Sequence, residues 1–197
     1  MLNKSLRSLL PFIVLLSLSS FGMAQSPNLL LNPDADLGAR SWRAVGKATV
    51  EVTTENNFCF VVRNGGSFFQ DVELPDDAGQ YAVFVGRGAT ERINDGGAIT
   101  GLPYLYGYML AENKPDGGRI LAYLQGQQML ARPGMQYEWV NMRGIFKVPE
   151  KTKRIRFFLN QALRSGVPHN GSAARFDNLG LYIFSTKEEA EAFATYH

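Results

Sequence analysis

Tyr104, Tyr106 and Tyr108 alternate with Leu105, Gly107 and Met109. Side chains alternate between faces along a strand, so on a strand the three tyrosines share one face. Tyr123 lies in a neighbouring run, with Gln125 and Gln127 beside it. In Arg154–Asn160, Ile155, Phe157 and Leu159 read as a core face, which turns Arg156, Phe158 and Asn160 the other way. Arg87 and Arg119 stand close to strand ends and could add hydrogen-bond donors. Rings, amides and guanidinium groups on one sheet face have the chemistry of a ligand platform. The competing reading is half-buried packing beneath a loop, since tyrosine is a good strand former and bridges core and solvent.

Catalytic patterns are thin by comparison. A Ser-His-Asp set can be assembled only by choosing freely among Ser165, His169 and Asp177, with no nucleophile elbow around the serine. Glu112 and Glu138 could be nominated as a glycosidase pair, but so could any two acids. There is no phosphate-binding glycine loop and no His-x-x-x-His spacing. The expectation is a protein that is not an enzyme.

The elements that must position these residues are strands. The β-rich runs are 49–53, 58–63, 68–74, 81–87, 104–111, 120–124, 137–148, 154–160 and 175–184, with turn signals such as Asn64-Gly65-Gly66, Pro115-Asp116-Gly117-Gly118 and Pro133-Gly134 between them. Many short strands without intervening helices predict an antiparallel sandwich or barrel. Thr186-Lys187-Glu188-Glu189 has capping-box spacing and opens one short C-terminal helix. The longest stretch without a strand pattern, 88–103, reads as a loop.

Of the 197 residues 45% are hydrophobic and 12% aromatic, enough for a core and against disorder. The first 24 residues hold Lys4, Arg7 and no acid, so outside them 18 of the 20 basic residues face 18 acidic ones. That balance argues against a nucleic-acid binder, which needs a basic excess. Two early cations, the apolar run Leu9–Leu18 and Gly22-Met23-Ala24 read as a signal peptide over 1–24, with a run too short to span a bilayer. The expected location is secreted or periplasmic, with no membrane span in the mature chain. Cys59, the only cysteine, allows no internal disulfide, and its run Phe58–Val62 predicts burial.

Several segments together resemble carbohydrate-binding modules of the galactose-binding-like jelly-roll superfamily. They are Asn28-Leu29-Leu30-Leu31-Asn32-Pro33-Asp34-Ala35-Asp36-Leu37-Gly38 with Trp42, then Phe69–Leu74 and Gly79–Val85. Further along come Glu138-Trp139, Gly144–Pro149, Arg154–Phe157 and the closing Arg175-Phe176-Asp177-Asn178-Leu179-Gly180-Leu181. The sequence departs from the pattern at Ala35, Asp36 and Asn178, where an aromatic, a Glu and an Asp are usual. The resemblance implies an all-β, antiparallel jelly-roll β-sandwich over 25–185, followed by a short helix or tail over 186–197. It implies carbohydrate as ligand, with Tyr104, Tyr106, Tyr108, Tyr123, Arg119, Gln125, Phe158 and Asn160 as the binding set and Trp42 and Trp139 as packing. It also implies a structural calcium, with Asp36 and Asp177 at matching positions and Asp34 a third carboxylate; turn capping by Asp34 and Asp36 is the alternative. Another function fits the same fold: a structural or protein-interaction β-sandwich of the cell envelope or extracellular matrix, with a protein partner.

Overall fold

The computed structural model describes residues 26–53, 56–76, 78–91, 101–112, 117–162 and 172–197. Its strands are β1 (Arg43–Val52), β2 (Phe58–Glu73), β3 (Tyr81–Thr90), β4 (Leu102–Leu110), β5 (Ile120–Leu124), β6 (Val140–Lys147), β7 (Arg154–Ala162) and β8 (Ala173–Phe184). A 3-10 turn, Gln127–Met129, precedes β6, and a helix, α1 (Lys187–Tyr196), follows β8.

Strand β2 is the hinge of the architecture. The turn expected at Asn64-Gly65-Gly66 does not reverse the chain. Asn64 and Gly65 take left-handed φ values of 49° and 75°, and the strand bends and continues. Beside this bend the β1–β2 register shifts between Val45 and Lys47, with Gly46 at φ 63°. The two strands come so close there that a Cβ on Gly66 would lie 2.7 Å from the Lys47 carbonyl oxygen.

The bend splits the pairing into two sheets. Before it, residues 60–63 of β2 pair with β8; after it, residues 67–73 pair with β7. The first sheet therefore runs β5-β4-β7-β2 with the start of β1, and the second runs from the rest of β1 through β2, β8 and β3 to β6. All pairings are antiparallel, and the two sheets enclose one core, as in a jelly-roll sandwich. Phe84 of the second sheet stacks on Phe157 of the first, 5.0 Å between centroids.

Period-two alternation places these residues. Phe68, Val72, Leu105, Met109, Ile155, Phe157 and Leu159 are buried between the sheets, while their neighbours in sequence face outward. Gln70 breaks the apolar pattern and is still buried, because its amide both accepts from and donates to the Leu31 main chain. Trp42 packs on Phe60 and Phe157 at one end of the core, and its indole N–H donates to the carbonyls of Leu31 and Asn32. Cys59 is fully buried, and burial pushes its thiol pKa up.

The capping box forms as expected: Thr186 accepts from the Glu189 N–H, and Glu189 accepts from the Thr186 N–H. Helix α1 lies on the outer face of the second sheet, with Ala190, Phe193 and Ala194 against Val83, Val85, Ile145, Tyr182 and Phe184. Helical geometry brings these positions to one side, since residues three and four apart are neighbours. The 88–103 loop is shorter than the sequence implies, because β3 continues to Thr90 and β4 begins at Leu102; the expectation for 92–100 lies outside the described residues.

Candidate carbohydrate-binding face

The outer face of the first sheet carries a graded array of aromatic rings. Strand register sets it in three rows. Tyr123, Tyr108, Arg156 and Asp71 stand opposite one another across β5, β4, β7 and β2. The next row is Tyr106, Phe158, Phe69 and Arg43, and the third is Tyr104, Asn160, Ser67 and Val45. Neighbouring strands lie about 4.8 Å apart, so side chains in adjacent rows and strands touch.

The contacts follow. Tyr106 lies 6.2 Å from Tyr104, 5.8 Å from Tyr108 and 5.7 Å from Phe158, centroid to centroid. Tyr108 also meets Phe158 at 5.3 Å and Tyr123 at 6.2 Å. Phe158 continues to Phe69 at 5.4 Å. The rings shield one another and are half-buried, except Tyr123, which is 56% exposed. Burial raises the phenol pKa values of Tyr104 and Tyr106, and the neighbouring tyrosines add to the effect at Tyr106. Both hydroxyls are therefore neutral donor–acceptors at physiological pH.

At the Tyr104 end the array runs into a groove of about 360 Å³ lined by Tyr104, Gln125, Gly126, Gln127, Leu130, Arg132 and Ala162. An isolated bridge between Tyr104 and Leu130 holds this segment against the edge of β4. At the other end Arg156 donates to Asp71 through Nε (2.6 Å) and Nη2 (2.7 Å). That pairing raises the guanidinium pKa, and a hydrogen bond with Tyr108 acts in the same direction. Phe69 lies beneath two guanidinium groups, Arg156 at 4.7 Å and Arg43 at 5.7 Å from its centroid.

The structure thus brings together Tyr104, Tyr106, Tyr108, Tyr123, Gln125, Phe158 and Asn160. Arg119 stands beyond the rows, exposed and level with Ala111, and its main-chain N–H donates to Glu112. Arg87 belongs to the second sheet, where its guanidinium lies 5.5 Å from the Trp139 ring centroid, and it does not reach the aromatic face. Phe69, Asp71 and Arg43 join the face although sequence reasoning did not place them there. The available signal was the alternation around Phe68, Gln70 and Val72, which turns Phe69 and Asp71 outward.

The expected calcium carboxylates lie elsewhere, where the N-terminal segment meets β8. Asn28 bridges β8 through the Leu179 carbonyl and the Leu181 N–H. A register shift between Val85 and Arg87, with Asn178 at φ 49°, makes a bulge beside Asp177. Asp177 is buried; Oδ2 accepts from Asn57, while Oδ1 has no hydrogen-bond partner. Burial is the main cause of the raised carboxyl pKa of both Asp34 and Asp177, with repulsion from neighbouring carboxylates adding to it and the Asn178 N–H opposing it. Among the described residues no three His, Cys, Asp or Glu side chains are grouped to hold a metal ion. What suits a cation is the orphaned oxygen of Asp177 and the repulsion that Asp34 and Asp36 exert on it.

Of the residues weighed for catalysis, Ser165 and His169 lie outside the described residues. Glu138 accepts from the Gly134 and Met135 N–H groups, so both it and Glu112 serve loop turns.

No protein-family model and no curated protein matches the sequence. Solved structures share the fold. The CBM22-1 xylan-binding domain from Paenibacillus barcinonensis Xyn10C is 12% identical, with TM-score 0.52 over 82% of this chain and 97% of that one. The tandem CBM22-1-CBM22-2 domain of the same protein gives 14% identity and TM-score 0.53 over 82% of this chain and 46% of that one. The enzymatically active domain of bacteriophage CBA120 tailspike protein 4 gives 13% identity and TM-score 0.55 over 80% of this chain. The match spans only 21% of the tailspike chain, so a fifth of that protein carries the shared unit. The fold is that of jelly-roll carbohydrate-binding modules.

Proposed function

We propose that the protein binds carbohydrate through the aromatic face of its first sheet and does no chemistry on it. The observation that carries this reading is the continuous ring array from Tyr123 to Phe69, opening into the groove at Tyr104. Flat rings cover the C–H faces of pyranoses, and Asn160, Gln125 and the tyrosine hydroxyls offer both donors and acceptors to sugar hydroxyls. Xylan binding by a neighbour of the same fold supports the ligand class. With the leader read in residues 1–24, the protein would meet its polysaccharide outside the cytoplasm.

A calcium ion held by Asp34 and Asp177, with Asp36 close enough to act on both carboxylates and main-chain carbonyls completing the six to eight oxygens, belongs to this reading as a structural element. It would be bound away from the rings and hold the N-terminal segment to β8.

The test is a glycan array followed by titration, with Tyr106→Ala as the probe. Tyr106 touches three other rings of the array, so its loss should weaken binding about tenfold or more. No binding to any glycan, or a Tyr106→Ala variant altered only in stability, refutes the proposal.

A further inference from the structure

We infer, resting on the carbohydrate reading above, that the glycan-binding surface does not end at Tyr104. It continues over Leu130 into a second groove at the end of α1, and the ligand is a chain longer than the aromatic face alone can hold.

Strand register sets the path. In the third row of the face, Ser67, Asn160 and Tyr104 stand opposite one another on β2, β7 and β4. Strand β5 ends at Leu124, opposite Gly107, and so falls short of this row. Its place is taken by Leu130, which forms an antiparallel bridge with Tyr104. Residues directly opposite in an antiparallel pair carry their side chains on the same face, so Leu130 extends the row by one position. From Ser67 to Leu130 are three strand spacings, about 14 Å at ~4.8 Å each, room for about three pyranose units of an extended chain. Leu130 is also common to two grooves: the one beside Tyr104, and another of about 460 Å³ lined with Gln128, Asn141, Arg143 and Tyr196. A chain laid across the row therefore passes over Leu130 and brings its next units into the second groove.

That groove repeats the chemistry of the first. Gln128, Asn141 and Arg143 are all exposed. Asn141 donates to the His197 carbonyl at 3.1 Å, and its own amide oxygen is an acceptor. Arg143 gives an Nη1 N–H to the Ala194 carbonyl at 2.6 Å, one of the five donors a guanidinium carries. Amides and a guanidinium suit sugar hydroxyls, while Leu130 offers an apolar step to a C–H face. A recess of about 180 Å³ that shares Gln128 and Arg143 prolongs the groove to Ile145. The far wall is already built. Phe193 of α1 packs on Tyr182 and Phe184 at 4.5 and 5.1 Å, and His197 stacks on Phe193 at 4.1 Å. A wall held in place beforehand leaves little ordering to oppose binding.

The experiment is calorimetry of the protein with ladders of xylo-, gluco-, manno- and galacto-oligosaccharides from disaccharide to octasaccharide, together with the ladder of any further glycan that the array finds. In at least one series affinity should keep rising past the tetrasaccharide and gain at least tenfold by the hexasaccharide. Gln128→Ala, at an exposed position, should weaken hexasaccharide binding about fivefold and tetrasaccharide binding far less. Arg143→Gln should act in the same direction more strongly. Amide exchange in α1 would show whether losing the bond to Ala194 loosens the helix, and Gln128→Ala reads the groove independently of that. A plateau at the tetrasaccharide, hexasaccharide binding unchanged in both variants, or an equal loss at the two lengths overturns the extension and leaves the carbohydrate reading standing. Binding of no oligosaccharide in any series removes both.

Discussion

Arginine does different work on the two sheets. On the first, Arg156 and Arg43 lie over Phe69 beside the candidate ligand surface. On the second, Arg63 and Arg175 tie Glu51 and Glu91 into a four-membered ion network on the outer face. Arg63 grips Glu51 through both carboxylate oxygens, and this is the main reason the Glu51 carboxyl pKa lies below its ordinary 4.5. A carboxyl whose folded pKa is depressed stabilises the fold fully above its unfolded value and loses that contribution as pH falls through the folded one. Glu51 and Glu91 are each about a third exposed, so solvent screens the network and its worth is about 1 kcal/mol. Glu51→Gln should therefore lower stability by about that amount at neutral pH. The gap to the native protein should stay constant down to pH 4.5 and close below it. Thermal unfolding of both proteins against pH measures this, and a gap that persists well below 4.5 would mean that packing, not charge, makes the difference.

At the scale of elements, local patterns were legible and partnerships were not. The helix shows the first case. Thr186 and Glu189 satisfy each other's main-chain N–H groups, a device set by a spacing of three residues. Thr186→Ala should cost about 1 kcal/mol, seen as faster amide exchange in the first turn of α1. Unaltered exchange there would show that the contact of Phe193 with Tyr182 and Phe184 holds the helix without its cap. The tyrosine stripe was legible for the same reason, since alternation is written into five consecutive residues of β4. Phe69, Asp71 and Arg43 were missed because their membership depends on events far apart in sequence. Strand β2 must bend at Asn64 and Gly65, leave β8 and pair with β7, and only then does Asp71 meet Arg156, 85 positions away. The same bend explains why two separate strands were expected where one exists: Asn-Gly-Gly marks left-handed backbone equally well in a turn and in a bulge. Arg87 was misplaced by similar logic, because closeness to a strand end does not say which sheet the strand joins.

Over the whole molecule the N-terminal segment is held to β8 by a few polar links and the edge of the core. Leu29 donates to the Leu181 carbonyl, Asn28 bridges Leu179 and Leu181, and Trp42 is pinned by the carbonyls of Leu31 and Asn32. Into this seam the fold places Asp34 and Asp177, whose charged forms are opposed by burial and by neighbouring carboxylates, Asp36 at Asp34 and both Asp34 and Asp36 at Asp177. Without a cation the seam works against the fold; on the proposed calcium reading the same charges would become ligands, and binding free energy would add to stability through linkage. Calcium at a hundredfold excess over its Kd should add about 2.7 kcal/mol, which for a domain of this size raises Tm by roughly 5–10 °C. Magnesium, which demands a tighter octahedron and gives up water reluctantly, should add much less. Asp177→Asn separates a metal ligand from a merely buried acid. It removes the repulsion, so the variant should match or exceed the native protein in chelator, yet gain nothing from calcium. A native Tm indifferent to calcium would dismiss the ion and leave Asp34 and Asp36 as turn formers.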